Sequence, residues 1–276
     1  MAIDKIKRGE RIAALVKMLV EKPSTQFSLG ALAELFGAGK STISEDLTEV
    51  AGAFRRFALG EIQSQTGAAG GVMFVPRLTP EAIRSLAEEF CQLARTPERI
   101  LPGGFLHLTD LVFSPGLAGR IGDAFATIFG EAQPDYVLTV ETKGIPLALM
   151  TARALNRPMV VLRRDARVSE GSTVSINYVS GSTRRIQAMS LPRRALPPGA
   201  RVLFIDDFMR AGGTARGMVE LMAEVEAVVV GIGVLMATRE PERKLVDNYH
   251  ALVSVEKVDE ERREAVLRPS DWLAQL

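Results

Sequence analysis

The sequence predicts an α/β chain in two parts, a small N-terminal module of three helices and a hairpin and a larger domain built on a mainly parallel sheet. Three observations predict it. Apolar residues recur at helical spacing from Ile12 to Phe54; the period changes after Gly60; beyond residue 77 strand-like runs alternate with helical stretches. At 276 residues the chain has room for about two domains. The boundary is placed near residue 77, where Pro76 and Pro80 bracket the chain, giving domains 1–77 and 78–276.

In the first helix Ile12, Leu15, Val16, Leu19 and Val20 line one face, and Pro23 ends it. The second has Ser28 as N-cap, carries Leu29, Leu32, Ala33 and Phe36 on its apolar face, and stops at Gly37-Ala38-Gly39. The third is expected to start with Thr42 and Glu45 in capping-box spacing and to bury Ile43, Leu47, Val50, Ala51 and Phe54. Strands over 61–66 and 71–75 follow, joined by the small-residue loop Gly67 to Gly71. Together these outline a winged helix-turn-helix.

In the larger domain, strands are expected at Tyr136 to Val140, Met159 to Leu162, Val202 to Ile205 and Val228 to Leu235, with helices near 145–155 and 213–225. That alternation implies βαβ units. One cysteine, Cys91, leaves no disulfide or Cys-rich zinc site, and two distant histidines make no metal cluster. The longest apolar run, Ala227 to Ala237, is short of the ~20 residues a membrane span needs, so a soluble cytoplasmic protein with no membrane partner is expected.

The most informative string runs from Val202 to Thr214. An apolar strand delivers Asp206 and Asp207 at its C-terminal end, and a small-residue turn leads into a helix. Ligands in open α/β sheets sit beyond the carboxyl ends of the strands. Gly212, Gly213 and Thr214 offer backbone N–H groups and a hydroxyl to a phosphate at a helix N-terminus. The two acids then suit vicinal sugar hydroxyls or a hydrated Mg²⁺. Solvated loop acids and a plain glycine turn would account for Gly-Gly-Thr alone, though not for the whole string.

The full string resembles the phosphoribosyl pyrophosphate (PRPP) motif of type I phosphoribosyltransferases. Thr142-Lys143-Gly144, after the Tyr136 strand, resembles the pyrophosphate loop of that fold. Arg163 and Arg164 begin the run Arg163 to Arg167 after the Met159 strand, and arginine suits bidentate phosphate contacts; as an isolated charge run it reads equally as an exposed face. The Ser-, Thr- and Gly-rich stretch 168–191, with Asn177-Tyr178, suits a mobile hairpin that closes over a ligand.

Taken over nearly its whole length, the chain resembles the purine operon repressors of Gram-positive bacteria, in which a winged helix is fused to a phosphoribosyltransferase-like effector domain. Further carriers are Ser41 to Leu47, Gly67 to Val72, Pro97 to Gly104 and Glu170 to Tyr178. The resemblance implies a homodimer that represses purine synthesis and transport genes on a double-stranded DNA operator and is relieved by PRPP. It places the effector at Thr142, Lys143, Gly144, Arg163, Arg164, Tyr178, Asp206, Asp207, Phe208, Arg210, Ala211, Gly212, Gly213 and Thr214, with Mg²⁺ held indirectly by the two acids.

Arg210 stands where some transferases of the fold carry an acid that serves the purine, and arginine is no base at neutral pH. A binding protein without catalytic residues is therefore expected, the alternative being an active purine phosphoribosyltransferase with a regulatory domain. Guanosine tetraphosphate, which also bears a pyrophosphate, is expected to share the site, with Phe208 or Phe105 facing the purine unless they pack in the core.

The second helix of a helix-turn-helix reads the major groove, which puts Lys40, Ser41, Thr42 and Ser44 against DNA. Gly70 in the wing approaches a minor groove, and Lys5 and Arg8 reach the backbone or else line a solvated helix face. Overall charge, 34 basic against 33 acidic residues, hides a net of +2 over residues 1–77 and −1 over the rest. So small a basic excess is one that an anionic effector can counter, by reorganising the arginines around it or by biasing the dimer.

Overall fold

The computed structural model describes residues 6–65, 70–164, 171–179 and 186–276. The chain forms two compact units that part after Thr79.

The first unit holds α1 (Arg8–Glu21), α2 (Leu29–Phe36), α3 (Lys40–Arg56), β1 (Glu61–Gln65) and β2 (Gly71–Val75). The Lys7 N–H donates to the Glu10 carboxylate at 2.9 Å and opens α1. Ser28 caps α2 by accepting from the Ala31 N–H at 3.1 Å. Gly37, with φ of 58°, closes it in the left-handed region that glycine adopts without strain. The start of α3 differs from the expected one. Its cap is Gly39, whose carbonyl accepts from the Ile43 N–H at 3.1 Å, so Thr42 already lies inside the first turn and caps nothing. The extended backbone of Gly39, just after the left-handed Gly37, turns the chain before a side-chain acceptor is reached.

β1 and β2 pair antiparallel. Phe27 adds a bridge to Val72, exchanging two backbone hydrogen bonds of 2.8 Å. The bridge needs Gly71, because a β-carbon there would run into the Phe27 carbonyl oxygen. Leu15, Leu19, Leu32, Ile43, Leu47 and Val72 share the core beneath, closed by an edge-on contact between Phe54 and Phe74.

The second unit begins with α4 (Pro80–Ala94), a short hairpin of β3 (Ile100–Leu101) and β4 (Phe105–Leu106), α5 (Thr109–Val112) and α6 (Pro115–Phe129). There follow β5 (Tyr136–Val140), α7 (Ile145–Leu155), β6 (Met159–Leu162), β7 (Thr173–Val179), β8 (Ile186–Pro192) and β9 (Arg201–Met209). The chain closes with α8 (Gly213–Glu224), β10 (Val228–Thr238), β11 (Tyr249–Asp259) and β12 (Glu264–Pro269). Six strands form one sheet in the order β12-β11-β10-β9-β5-β6, parallel except where β12 joins β11. β9 and β10 run past the expected strand ends, and β11 and β12 add two strands that the alternation pattern did not show. The segment expected as a mobile closing hairpin supplies β7 and β8, which pair antiparallel and pack against α8; its residues 168–170 and 180–185 lie outside the described ones. Among the described residues, no helix is long and apolar enough to cross a membrane.

Candidate functional site

The strand order sets the position of the site. From β5 the sheet grows one way to β6, and from β9 it grows the other way to β10, so the order reverses between β5 and β9. These two strands are direct neighbours, with Tyr136 opposite Val202 and Leu138 opposite Phe204. The loops leaving their carboxyl ends therefore stand side by side, where open α/β sheets bind ligands. A cleft of about 670 Å³ lies there.

One flank of the cleft is the turn from β9 into α8. Gly212, with φ of 83°, caps α8, and Gly213 opens it. The backbone N–H groups of a helix start have no carbonyl partner within the helix, and the helix dipole adds partial positive charge. Lys143, Arg164 and Arg210 line the same cleft. Anionic oxygen is the chemistry this arrangement suits.

Asp206 and Asp207 stand at the edge of that flank. Asp206 is buried, and its Oδ1 accepts from the Asp207 N–H at 2.9 Å. Burial, with the Asp207 charge beside it, pushes the Asp206 carboxyl well above the usual carboxylate range. A bound cation or hydroxyl donor favours the ionised form and so draws this carboxyl back toward the usual range. The donor chemistry, two adjacent carboxylates beside an anion cradle, fits a hydrated Mg²⁺ arriving with a diphosphate. Among the described residues, no group of three or more His, Cys, Asp or Glu is placed to hold a metal by itself.

Of the residues singled out in the sequence, Thr142, Lys143, Arg164, Asp206, Asp207 and Phe208 line the cleft, as do Arg210, Gly212, Gly213 and Thr214. Gly144 is buried directly behind, against Asp206. Ala211 sits in the turn but faces the chain behind it, its carbonyl accepting from the Leu245 N–H at 2.9 Å. Arg163 does not line the cleft: it bridges to Ser190 through the backbone and stands 3.7 Å from the Glu141 carboxylate. Glu141 also accepts from the Arg164 N–H at 2.8 Å, tying the ends of β5 and β6 together.

Tyr178 is not itself on the cleft lining. It is 6% exposed, packs its Cβ against Gly217 of α8, and donates its hydroxyl to Gln187 across the hairpin at 3.0 Å. Alternation along β7 turns it inward, where its hydroxyl also stands close to Thr214, a residue of the cleft. Phe105 departs from its core alternative in the opposite sense, being 52% exposed on the cleft wall. Residues absent from the sequence reading also line the cleft, among them Leu106, Leu108, Val255 and Val258. The lining thus combines charged and polar groups with apolar and aromatic ones.

In the first unit, Lys40, Ser41 and Ser44 are exposed on the first turns of α3, Thr42 is half-buried beside them, and Ile43 and Leu47 face the core. Gly70 is half-buried where the chain enters β2. Lys5 lies outside the described residues. Arg8 is half exposed, and its guanidinium bonds Asp46 at 3.0 Å and Glu49 at 2.6 Å. Asp46 is fully buried and also takes Arg11. Burial alone would raise its carboxyl; the bonds from Arg11 and Arg8 hold it below the usual range. This network fastens α1 to α3.

Residues 7–76 match the family model for the N-terminal domain of the bacterial purine repressor, and residues 108–268 match that for the phosphoribosyl transferase domain. The purine biosynthesis transcriptional repressor PurR of Bacillus subtilis is 41% identical over 98% of this chain and 94% of that protein. The purine biosynthesis transcriptional activator PurR of Lactococcus lactis is 36% identical over 92% and 94%. Among solved structures, adenine phosphoribosyltransferase from Thermoanaerobacter pseudethanolicus superposes with a TM-score of 0.54 at 19% identity, over 61% of this chain and 99% of that one. That last likeness is one of fold.

Proposed function

The chain belongs to the family of bacterial purine biosynthesis regulators, and from that premise we propose that it is a DNA-binding repressor of purine synthesis and transport genes whose DNA affinity PRPP lowers. The observation that carries the effector half is the cleft at the β5–β9 reversal, where Asp206 and Asp207 stand beside the Gly212–Gly213 turn and Lys143, Arg164 and Arg210 face it. A ribose diphosphate matches that set: phosphates for the turn and cations, sugar hydroxyls and a carried Mg²⁺ for the acids. The DNA half is supported by the exposed Lys40, Ser41 and Ser44 at the start of α3.

The sign of regulation differs between named relatives, one a repressor and one an activator. We assign repression, with a homodimer as the form that places two reading helices on one operator, in the cytoplasm. Transferase activity is proposed to be lost, because the cleft carries the guanidinium of Arg210, which has no acceptor to serve as a base, where some transferases carry an acid. The apolar and aromatic residues of the lining favour a ligand that also carries a purine, which makes guanosine tetraphosphate a competitor for the same phosphate site. A transferase would use the same residues, so the rival reading is tested by incubating PRPP and Mg²⁺ with adenine, guanine, hypoxanthine and xanthine. Pyrophosphate release would establish it.

The decisive experiment measures binding to DNA from upstream of purine genes while PRPP and Mg²⁺ are titrated. Affinity is expected to fall for the wild type and to stay constant for the Asp206→Asn, Asp207→Asn double variant. Wild-type affinity unchanged at saturating PRPP would sink the proposal.

A further inference from the structure

We propose that Lys244 is a positioning residue for the effector turn, acting through the Thr238 hydroxyl. The inference rests on the effector reading above and deepens it. The end of β10 and the segment that follows it run beside the Arg210–Gly212 turn, Thr238 and Glu240 lining the cleft along with it, and hold the turn at two successive carbonyls. Thr238 Oγ1 lies 3.1 Å from the Arg210 carbonyl oxygen, and the Leu245 N–H donates to the Ala211 carbonyl at 2.9 Å. Contact is close: a β-carbon on Gly212 would stand 3.3 Å from Leu245 N and 3.6 Å from Lys244 Cβ.

Pinning those carbonyls orients the donors. In a trans peptide the C=O and the following N–H point in opposite directions. With the carbonyls of Arg210 and Ala211 drawn to the supporting segment, the N–H groups of Ala211 and Gly212 are turned away from it. The orientation of the anion cradle is therefore set by the segment it rests on.

Lys244 holds the supporting segment itself. It is 8% exposed, and its ammonium donates to the carbonyls of Thr238 and Pro241 at 2.6 Å each and to Thr238 Oγ1 at 3.4 Å. All three protons are thereby used, so this lysine has none left for a ligand despite its place beside a cleft suited to anions. By donating to Thr238 Oγ1 it leaves that hydroxyl its own proton for the carbonyl of Arg210 or of Glu240, the latter at 2.6 Å. A charge is buried at a cost, and the geometry it secures is that of the turn.

The test is calorimetric titration of Mg²⁺ and PRPP into the full chain, for wild type, Thr238→Val, Thr238→Ser, Lys244→Met and the Thr238→Val, Lys244→Met double variant. Thr238→Val and Lys244→Met are each expected to weaken binding about tenfold, the scale of one charge-assisted hydrogen bond. Thr238→Ser, which keeps the hydroxyl, should bind as wild type does, and the double variant should lose less than the product of the single losses. Valine and serine variants of equal affinity, or losses that multiply, would overturn the relay; the Thr238 pair decides even where Lys244→Met fails to fold. If the wild type itself binds no PRPP, both this inference and the effector reading fall. Wild-type binding with unaffected variants removes this inference alone.

Discussion

Asp206 and Gly144 touch across the β5–β9 reversal so closely that a β-carbon on the glycine would lie 2.8 Å from Asp206 Oδ1, and closer still to Thr139 Oγ1. The loop that carries Lys143 and the strand end that carries the acids are thus packed with no room for a methyl group. Gly144→Ala must push the two apart. It should lower PRPP affinity by about tenfold or more while the chain still folds, measured by titration calorimetry beside a melting curve. Wild-type affinity in this variant would show that the spacing of the two loops is immaterial.

Burial and the neighbouring Asp207 charge raise the Asp206 carboxyl well above its ordinary range. Its folded value therefore exceeds the unfolded one of about 3.9, and ionising it costs stability as pH rises through that interval. Asp206→Asn removes the cost. The ligand-free variant should melt a few degrees higher than wild type at pH 7, with the difference shrinking toward pH 4. A variant that melts lower at neutral pH would mean that Asp206 serves the fold.

The sequence disclosed this site unevenly, for physical reasons. β5 and β6 are short runs of β-branched and apolar residues bounded by turns, so their ends were legible to the residue. Polar ends blurred β11, whose Glu256, Lys257 and Asp259 break the apolar pattern while Val255 and Val258 reach the cleft. Small polar neighbours gave the strand of Tyr178 the composition of a loop, and the space left by Gly217 that draws it inward is a tertiary feature. Phe105 goes the other way. An aromatic residue is core by default, but here it belongs to a hairpin of two-residue strands standing outside the main sheet.

His250 is held edge-on to both Phe129, at 5.4 Å between centroids, and Trp272, at 4.6 Å, with its buried Nδ1 unpaired among the described residues. Burial lowers its basicity below the ordinary value. The unfolded chain therefore takes up the proton first as pH falls, so this histidine's share of stability is whole above about pH 6.5 and is lost below it. His250→Phe keeps the ring and removes the titration. Its melting temperature should exceed that of wild type by more at pH 5.5 than at pH 8; a constant difference would refute the assignment.

Asp46 is the buried acceptor for both Arg8 and Arg11. Its lowered carboxyl contributes stability above the unfolded value of about 3.9 and loses it as pH falls through the folded one. Asp46→Ala leaves Arg11 buried without its carboxylate and should destabilise the first unit by about 3 kcal/mol in denaturant unfolding. Asp46→Asn should cost less, because an amide oxygen still accepts one bond. Equal stability of the alanine variant and wild type would remove the network from the account of how α3 is held.

Lys40 opens α3 with its stem over α2, a β-carbon on Gly30 being 3.6 Å from Lys40 Cε, while the residue itself remains exposed. Anchored in this way, its ammonium suits a DNA phosphate better than a base edge. A phosphate contact contributes the same on every sequence and releases counterions. Lys40→Ala should therefore weaken operator and unrelated DNA by a similar factor and flatten the salt dependence of log K by about one per module bound. Ser44, exposed one turn further along, is placed for a base edge, so Ser44→Ala should narrow the gap between operator and unrelated DNA at a single salt concentration. Arg8 provides the contrast: already bonded to Asp46 and Glu49, it should alter DNA binding when replaced only as far as α1 loosens from α3. Should Lys40→Ala leave the salt slope unchanged while relaxing specificity, α3 would lie in the groove in another register, with Lys40 over the bases.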